Sequence, residues 1–236
     1  MKKLPIALFM LTSFISFAAA AQTVDEVIDK HVEAMGGKDK LAALKSVHIE
    51  SSLSVQGMDI PIKTTRVHNV GQRVDITVMG NDGYIITTPK AGWTFLPFMG
   101  QASAEAMPEE QLKAAVDELD IQGLMFDYKN KGNKVELLGK ETVDGNENYK
   151  VKVVTPSGFE RTYFIDGKTF YINRTVAKGF VMGQEQEVVV NFSNYKKTDD
   201  GYVFPWGISG AFGQGDLVIT KVETNKPVDE KIFKVN

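Results

Sequence analysis

Any reaction chemistry in this chain would have to come from three histidines and scattered carboxylates, because there is no cysteine. His31, His48 and His68 fall on separate candidate elements, and their spacing matches no metal-ligating pattern. No nucleophile-elbow sequence supports a Ser-His-Asp arrangement. Glu185 and Glu187 stand two apart on a candidate strand and therefore share one face, the pattern of a solvated surface rather than an acid/base pair. Ala211-Phe212-Gly213-Gln214-Gly215 is glycine-rich, but it lacks the lysine and following helix of a phosphate cradle. Without cysteine there is no disulfide, thiolate zinc site, thiol nucleophile or lipid-modified anchor. These residues point away from an enzyme and away from any metal or cofactor.

What remains is apolar chemistry, concentrated in residues 97–126. Phe98 and Met99 lead in, then Leu112, Ala115, Val116 and Leu119 recur at helical spacing, and Leu124, Met125 and Phe126 follow. Pro108 suits the first helical position, with Glu109 and Glu110 favourable at the positive end of the dipole. The spacing puts Glu110, Lys113, Asp117 and Glu118 largely on the opposite, solvent side. Gly100 and Gly123 flank the helix as hinges. Methionine is soft and unbranched, so it suits ligands of variable shape. Such a helix is either the plug of a core or the lid of a pocket.

Almost everything around it reads as β-structure. Val47, Ile49, Ser51, Leu53 and Val55 alternate with polar residues, the period of a half-buried strand, and further strands are expected at 60–67, 72–79, 84–88 and 93–96. After the helix, seven more are expected at 134–139, 149–155, 160–165, 170–176, 184–195, 202–209 and 216–223. Turn residues join them, most clearly Asp166-Gly167-Lys168, so the neighbours should be antiparallel hairpins. Thr23 and Glu26 form a capping box for an opening helix that Gly36-Gly37 stops. A short second helix at 39–44 follows, and this pair should pack on the concave face. Ile232 and Phe233 should tie down the C-terminus.

The N-terminus predicts export. Lys2 and Lys3, an apolar stretch from Ile6 to Phe17, and Ala19 with Ala21 form a signal peptide over residues 1–21, leaving one domain over 22–236 in a bacterial periplasm. The full chain carries 27 basic and 30 acidic residues without a basic cluster, which argues against nucleic acid and anionic headgroup surfaces as partners.

The order of these parts resembles the periplasmic lipoprotein-carrier superfamily, the LolA/LolB-like fold. The resemblance rests on Asn81-Asp82-Gly83, on Gly139-Lys140-Glu141-Thr142-Val143-Asp144-Gly145 before Tyr149-Lys150-Val151, on Phe164-Ile165-Asp166-Gly167-Lys168-Thr169, and on Asp200-Gly201-Tyr202-Val203-Phe204-Pro205. It implies a mainly β fold, an unclosed antiparallel β-barrel of about 11–12 strands with an N-terminal helix and a mid-chain helical lid on its concave face. It further implies a soluble periplasmic carrier for an acyl chain, lipoprotein or similar apolar ligand, passing it between envelope proteins. The ligand-binding candidates are Trp93, Phe95, Phe98, Met99, Leu112, Val116, Leu119, Met125 and Phe126. The well-known carrier of the family has a lid-governing arginine near the end of its second strand. Here Arg66 is the candidate for that role and Arg73 the second, each equally readable as an exposed strand residue. The departure leaves the cargo open beyond an apolar ligand. The rival reading is a regulatory module of an envelope signalling or assembly complex.

Overall fold

The computed structural model describes residues 22–181, 184–210 and 215–235. The signal-peptide expectation and residues 211–214 of the glycine-rich loop lie outside them. The chain opens on α1 (Val24–Ala34) and α2 (Lys38–Ala43), and both halves of the Thr23/Glu26 capping box are formed. Five strands follow: β1 (Ser46–Val55), β2 (Met58–Val67), β3 (Gly71–Val78), β4 (Asn81–Thr87) and β5 (Gly92–Phe95). A two-residue strand, β6 (Glu105–Ala106), precedes α3 (Glu109–Val116), a 3-10 turn at Asp117–Leu119 and α4 (Tyr128–Lys131). Seven strands complete the chain: β7 (Lys134–Val143), β8 (Asn146–Val154), β9 (Glu160–Asp166), β10 (Ile172–Val181), β11 (Gln184–Lys197), β12 (Val203–Ser209) and β13 (Asp216–Thr224).

All 13 strands form one antiparallel sheet in the order β6-β5-β4-β3-β2-β1-β13-β12-β11-β10-β9-β8-β7. The first and last strands therefore pair at its centre, Val47 opposite Thr224 and Leu53 opposite Leu217. The sheet does not close, and β6 and β7 are its free edges. The segment between them, residues 107–133, has to travel from one edge to the other, and it does so over the concave face. The fold is the expected mainly β, unclosed barrel with a mid-chain helical cover. It has one strand more than a dozen because β6 lies in a stretch that reads as helical.

Turn chemistry holds the meander in register. Asp166 Oδ1 accepts from the Lys168 and Thr169 amides at 2.9 and 2.8 Å, which shapes the β9–β10 turn. At the C-terminus, Phe233 is buried on the outer face of β3. A side chain at Gly71 would start 2.7 Å from its ring, so only glycine leaves room.

Core packing fills one half of the concave face. Val27 and Ile28 of α1 join Leu124 and Met125 against Tyr149, Val151, Val153, Tyr163 and Ile165 of β8 and β9. Val27, Val151, Val153 and Ile165 are fully buried. Burying four such side chains contributes about 6–12 kcal/mol of hydrophobic free energy before entropy is counted. The opposite half is different. It carries a smaller core, in which Leu53, Ile62 and Val74 of β1–β3 are buried and Ile60, Ile76, Ile85 and Leu217 pack half-buried around them, while Phe192 and Ile208 face the same interior by register and are also half-buried.

Candidate functional site

Across the concave face lies α3, which approaches β4 on one side and β10 on the other. No residue of α3 is buried. Leu112 and Val116 are both half-buried, so the helix rests on the sheet without being packed into it. Its N-cap is Pro108, one position earlier than expected. The helix ends at Val116, and the tighter turn at Asp117–Leu119 re-aims the acidic residues that follow.

That turn is the polar anchor of the cover. Asp117 Oδ2 accepts from Thr155 Oγ1 at 2.9 Å and Ser157 Oγ at 2.8 Å, both in the β8–β9 connection. Glu118 pairs with Arg161 of β9. It also lies within electrostatic reach of Arg66 on β2, so one carboxylate sits between strands from both halves of the sheet. Burial works against the Glu118 charge, but Arg161, through both charge and hydrogen bond, and Arg66 hold its carboxyl below the usual range. Arg161 gains in the reverse sense: burial opposes its charge, yet Glu118 keeps its pKa above the ordinary value. Asp120 accepts from Lys131 Nζ at 2.6 Å and stands 3.6 Å from His68 Nδ1. Burial pulls the His68 pKa down, with Asp120 opposing and Lys131 reinforcing that shift. Leu119, buried, accepts the Asn69 amide at 2.9 Å on its carbonyl and fastens the same turn to the β2–β3 connection.

The candidates from sequence are divided by this geometry. Phe98 reaches the concave side, where Gly83 makes room for its ring: a Cβ there would stand 2.8 Å from Phe98 Cε1. Leu112 and Val116 lie in the cover. Leu119, Met125 and Phe126 are buried, Met125 within the α1 core, so residues 124–126 are the plug and 109–119 the cover. Met99 is 65% exposed. Trp93 and Phe95 are on the other face of the sheet. Register places them opposite Ile86 and Tyr84, while Thr94, opposite Ile85, points inward. The Phe95 ring lies 5.6 Å from that of Tyr84.

The two arginines separate in the same way. Arg66 is inward, opposite Gln72. Arg73 is outward: its guanidinium lies 4.6 Å from the Tyr84 ring centroid, and it donates to Asp75 at 2.7 Å and to the Ile232 carbonyl at 3.1 Å. Arg73 thus ties down the C-terminal turn on the far side from the cover. Glu118 and Arg161 are the residues that sequence reading missed. Arg161 could have been found from its inward alternation with Tyr163 and Ile165.

The histidines occupy three separate surroundings. His31 Nδ1 donates to the Phe170 carbonyl at 2.8 Å, His48 pairs with Thr65 at 3.1 Å, and His68 faces Asp120. Among the described residues, no three His, Asp or Glu side chains gather as a metal site. Glu185 and Glu187 are exposed. Among the described residues, no helix is long and apolar enough to cross a membrane.

Comparison with solved structures identifies this architecture. A LolA superfamily protein from Nitrosomonas europaea superposes with a TM-score of 0.56 at 14% identity, covering 91% of this chain and 98% of that one. This is the LolA/LolB-like fold. A putative outer membrane lipoprotein-sorting protein domain from Vibrio parahaemolyticus (TM-score 0.54, 13% identity) covers 88% of this chain and 94% of its own. A DUF1329 family protein from Desulfovibrio piger (TM-score 0.54, 17% identity) covers 91% and 98%. Protein-family models and curated proteins give no match. In this fold α3 and the turn after it lie across the concave face, and Glu118 stands between strands from both halves of the sheet.

Proposed function

We propose that this protein is a non-enzymatic carrier, exported to the periplasm after loss of residues 1–21, with residues 22–236 acting as one domain. It holds an acyl chain or similar apolar ligand between the sheet and a lid, formed by α3 and the turn after it, with Glu118 as the latch. The observation that carries this reading is the contrast within one concave face: α1 and residues 124–125 bury the β8–β9 half, whereas on the other half only Leu53, Ile62 and Val74 are buried, Ile60, Ile76, Ile85, Phe192, Ile208 and Leu217 stay half-buried, and the helix crossing the face has no buried residue. An apolar ligand completes that burial. Each methylene transferred adds about 0.8 kcal/mol, so an eight-carbon stretch supplies about 6 kcal/mol before ordering costs.

The ligand-facing residues in this reading are Phe98, Leu112 and Val116 with the half-buried residues of the concave face. Leu119, Met125 and Phe126 form its floor and hinge. Arg66 is the lid-control residue through Glu118. Trp93, Phe95 and Arg73 belong to the outer face and support the scaffold. Export and an untethered chain fit passage of the ligand between envelope donor and acceptor proteins. The test is native purification followed by solvent extraction and mass spectrometry, with titration of a fluorescent fatty acid into the stripped protein. Recovered lipid and saturable binding support the carrier. Lipid-free protein that does not bind the probe overturns it.

A further inference from the structure

The concave interior carries more positive charge than its own residues neutralise. Arg66 and Arg161 both point inward, and between them stands a single carboxylate, Glu118. Arg161 donates to Glu118 through Nη2, yet its Nε is buried and without a partner among the described residues. The Nε of Arg66 is in the same condition. Beside Arg66, the buried Oε1 of Gln72 is also unpaired. Guanidinium groups stay charged when buried, so the surplus charge cannot be shed by losing a proton.

Neighbouring groups do not cancel it. Asp117 is taken up by Thr155 and Ser157, and the Asp120 charge is paired with Lys131 through Oδ2, its buried Oδ1 staying without a hydrogen-bond partner among the described residues. Glu105, inward by register, sits at the exposed edge strand and accepts from Gln101. Lys196, opposite Phe204 and 4.4 Å from the Trp206 ring centroid, is exposed and adds no buried charge. The buried indole Nε1 of Trp206 has no acceptor among the described residues. The interior thus combines an apolar floor with unpaired donors and two guanidiniums that share one carboxylate.

The geometry points to an anionic amphiphile as the ligand class: a carboxylate or phosphate headgroup engaging Arg66 and Arg161 beneath the lid, with its chain on the half-buried apolar surface. This deepens the carrier reading and rests on the concave face being the ligand site. Such a headgroup accepts from the unpaired Nε atoms and competes with Glu118 for the guanidinium groups, so binding also loosens the latch.

The test uses calorimetry on the delipidated protein at pH 8 with hexadecanoate, with hexadecanol as the uncharged analogue of equal length, and with acetate and inorganic phosphate as free anions. Hexadecanoate is expected to bind at least about tenfold more tightly than hexadecanol, and the free anions far more weakly. Arg66→Gln, which leaves the Arg161–Glu118 pair in place, should erase the preference, and Arg66→Lys should keep most of it. Equal affinity for hexadecanoate and hexadecanol in the unaltered protein overturns the charge assignment and leaves the apolar pocket standing. That comparison needs no variant to fold. Acetate or phosphate binding as tightly as hexadecanoate overturns the amphiphile. Failure of both sixteen-carbon probes overturns this proposal and the carrier reading together.

Discussion

Replacing Glu118 with glutamine removes the one carboxylate that links the lid to both halves of the sheet, while preserving its shape. Breaking a buried ion pair by deleting one partner costs about 3–5 kcal/mol, and an exposed pair is worth about 0.2–1 kcal/mol. Glu118 lies between these limits, since its side chain is 37% exposed and that of Arg161 is 20% exposed. About 1–3 kcal/mol is expected, because solvent screens part of the interaction but two inward guanidiniums are left without a carboxylate. The loss should fall on the lid, whose own packing is slight. Amide hydrogen exchange in α3 should accelerate about 5- to 150-fold, while amides of β8 over the α1 core change little. Acid should mimic the substitution. The Glu118 carboxyl is held below its ordinary value of 4.5, so its contribution is complete above that pH and is lost as pH falls through the lowered value. Unchanged α3 exchange in Glu118→Gln at pH 7 would refute the latch. So would equal acceleration in α3 and β8, which would mark Glu118 as a general stability residue.

Other perturbations separate scaffold from site. Met125→Ala opens a cavity in the α1 core and should cost about 2–5 kcal/mol by urea denaturation, a loss absent if Met125 lines an open pocket instead. His31 is buried with its pKa lowered by burial, partly offset by the Phe170 carbonyl, so the folded state resists its protonation. Stability should therefore decline as pH falls from about 7 to 5, and His31→Gln should flatten that decline in urea midpoints across the window. Ile76→Asp, on the half-buried part of the concave face, should weaken fatty-acid binding at least tenfold while circular dichroism stays unchanged. Gly71→Ala should drive Phe233 off β3, giving proteolysis near residue 230 and a stability loss of about 1–3 kcal/mol.

The strands and their order were legible because each turn announces itself with Gly, Asn or Asp beside strictly alternating residues, and the capping box marked the first helix atom for atom. The site was legible only in part. Trp93, Thr94 and Phe95 alternate in a four-residue strand with large apolar groups on one face and a threonine on the other. Sequence therefore favoured turning the aromatics inward. The C-terminal turn packs on the outer face of β3, so aromatic residues beside it gain cover there too. Glu118 read as a solvent-facing helix residue because its helical angle from Leu112 and Val116 puts it there. The change from α-helix to 3-10 turn at Asp117 alters that angle, and one inward arginine on a distant strand rewards it. The second of these is not local to residues 109–119.

Pairing of β1 with β13 has a consequence for how the protein is made. The two strands that join the halves of the sheet lie at opposite ends of the described chain, Val47 against Thr224. Until the last strand arrives, the first five strands have a hydrophobic face and an unpaired central edge, and β7–β12 have another. Contacts this distant in sequence form slowly and leave such edges open to other chains. A chaperone-poor compartment would make the late arrival of β13 the step that decides yield, and a chain shortened by its final twenty residues would aggregate through the edge that β1 then exposes.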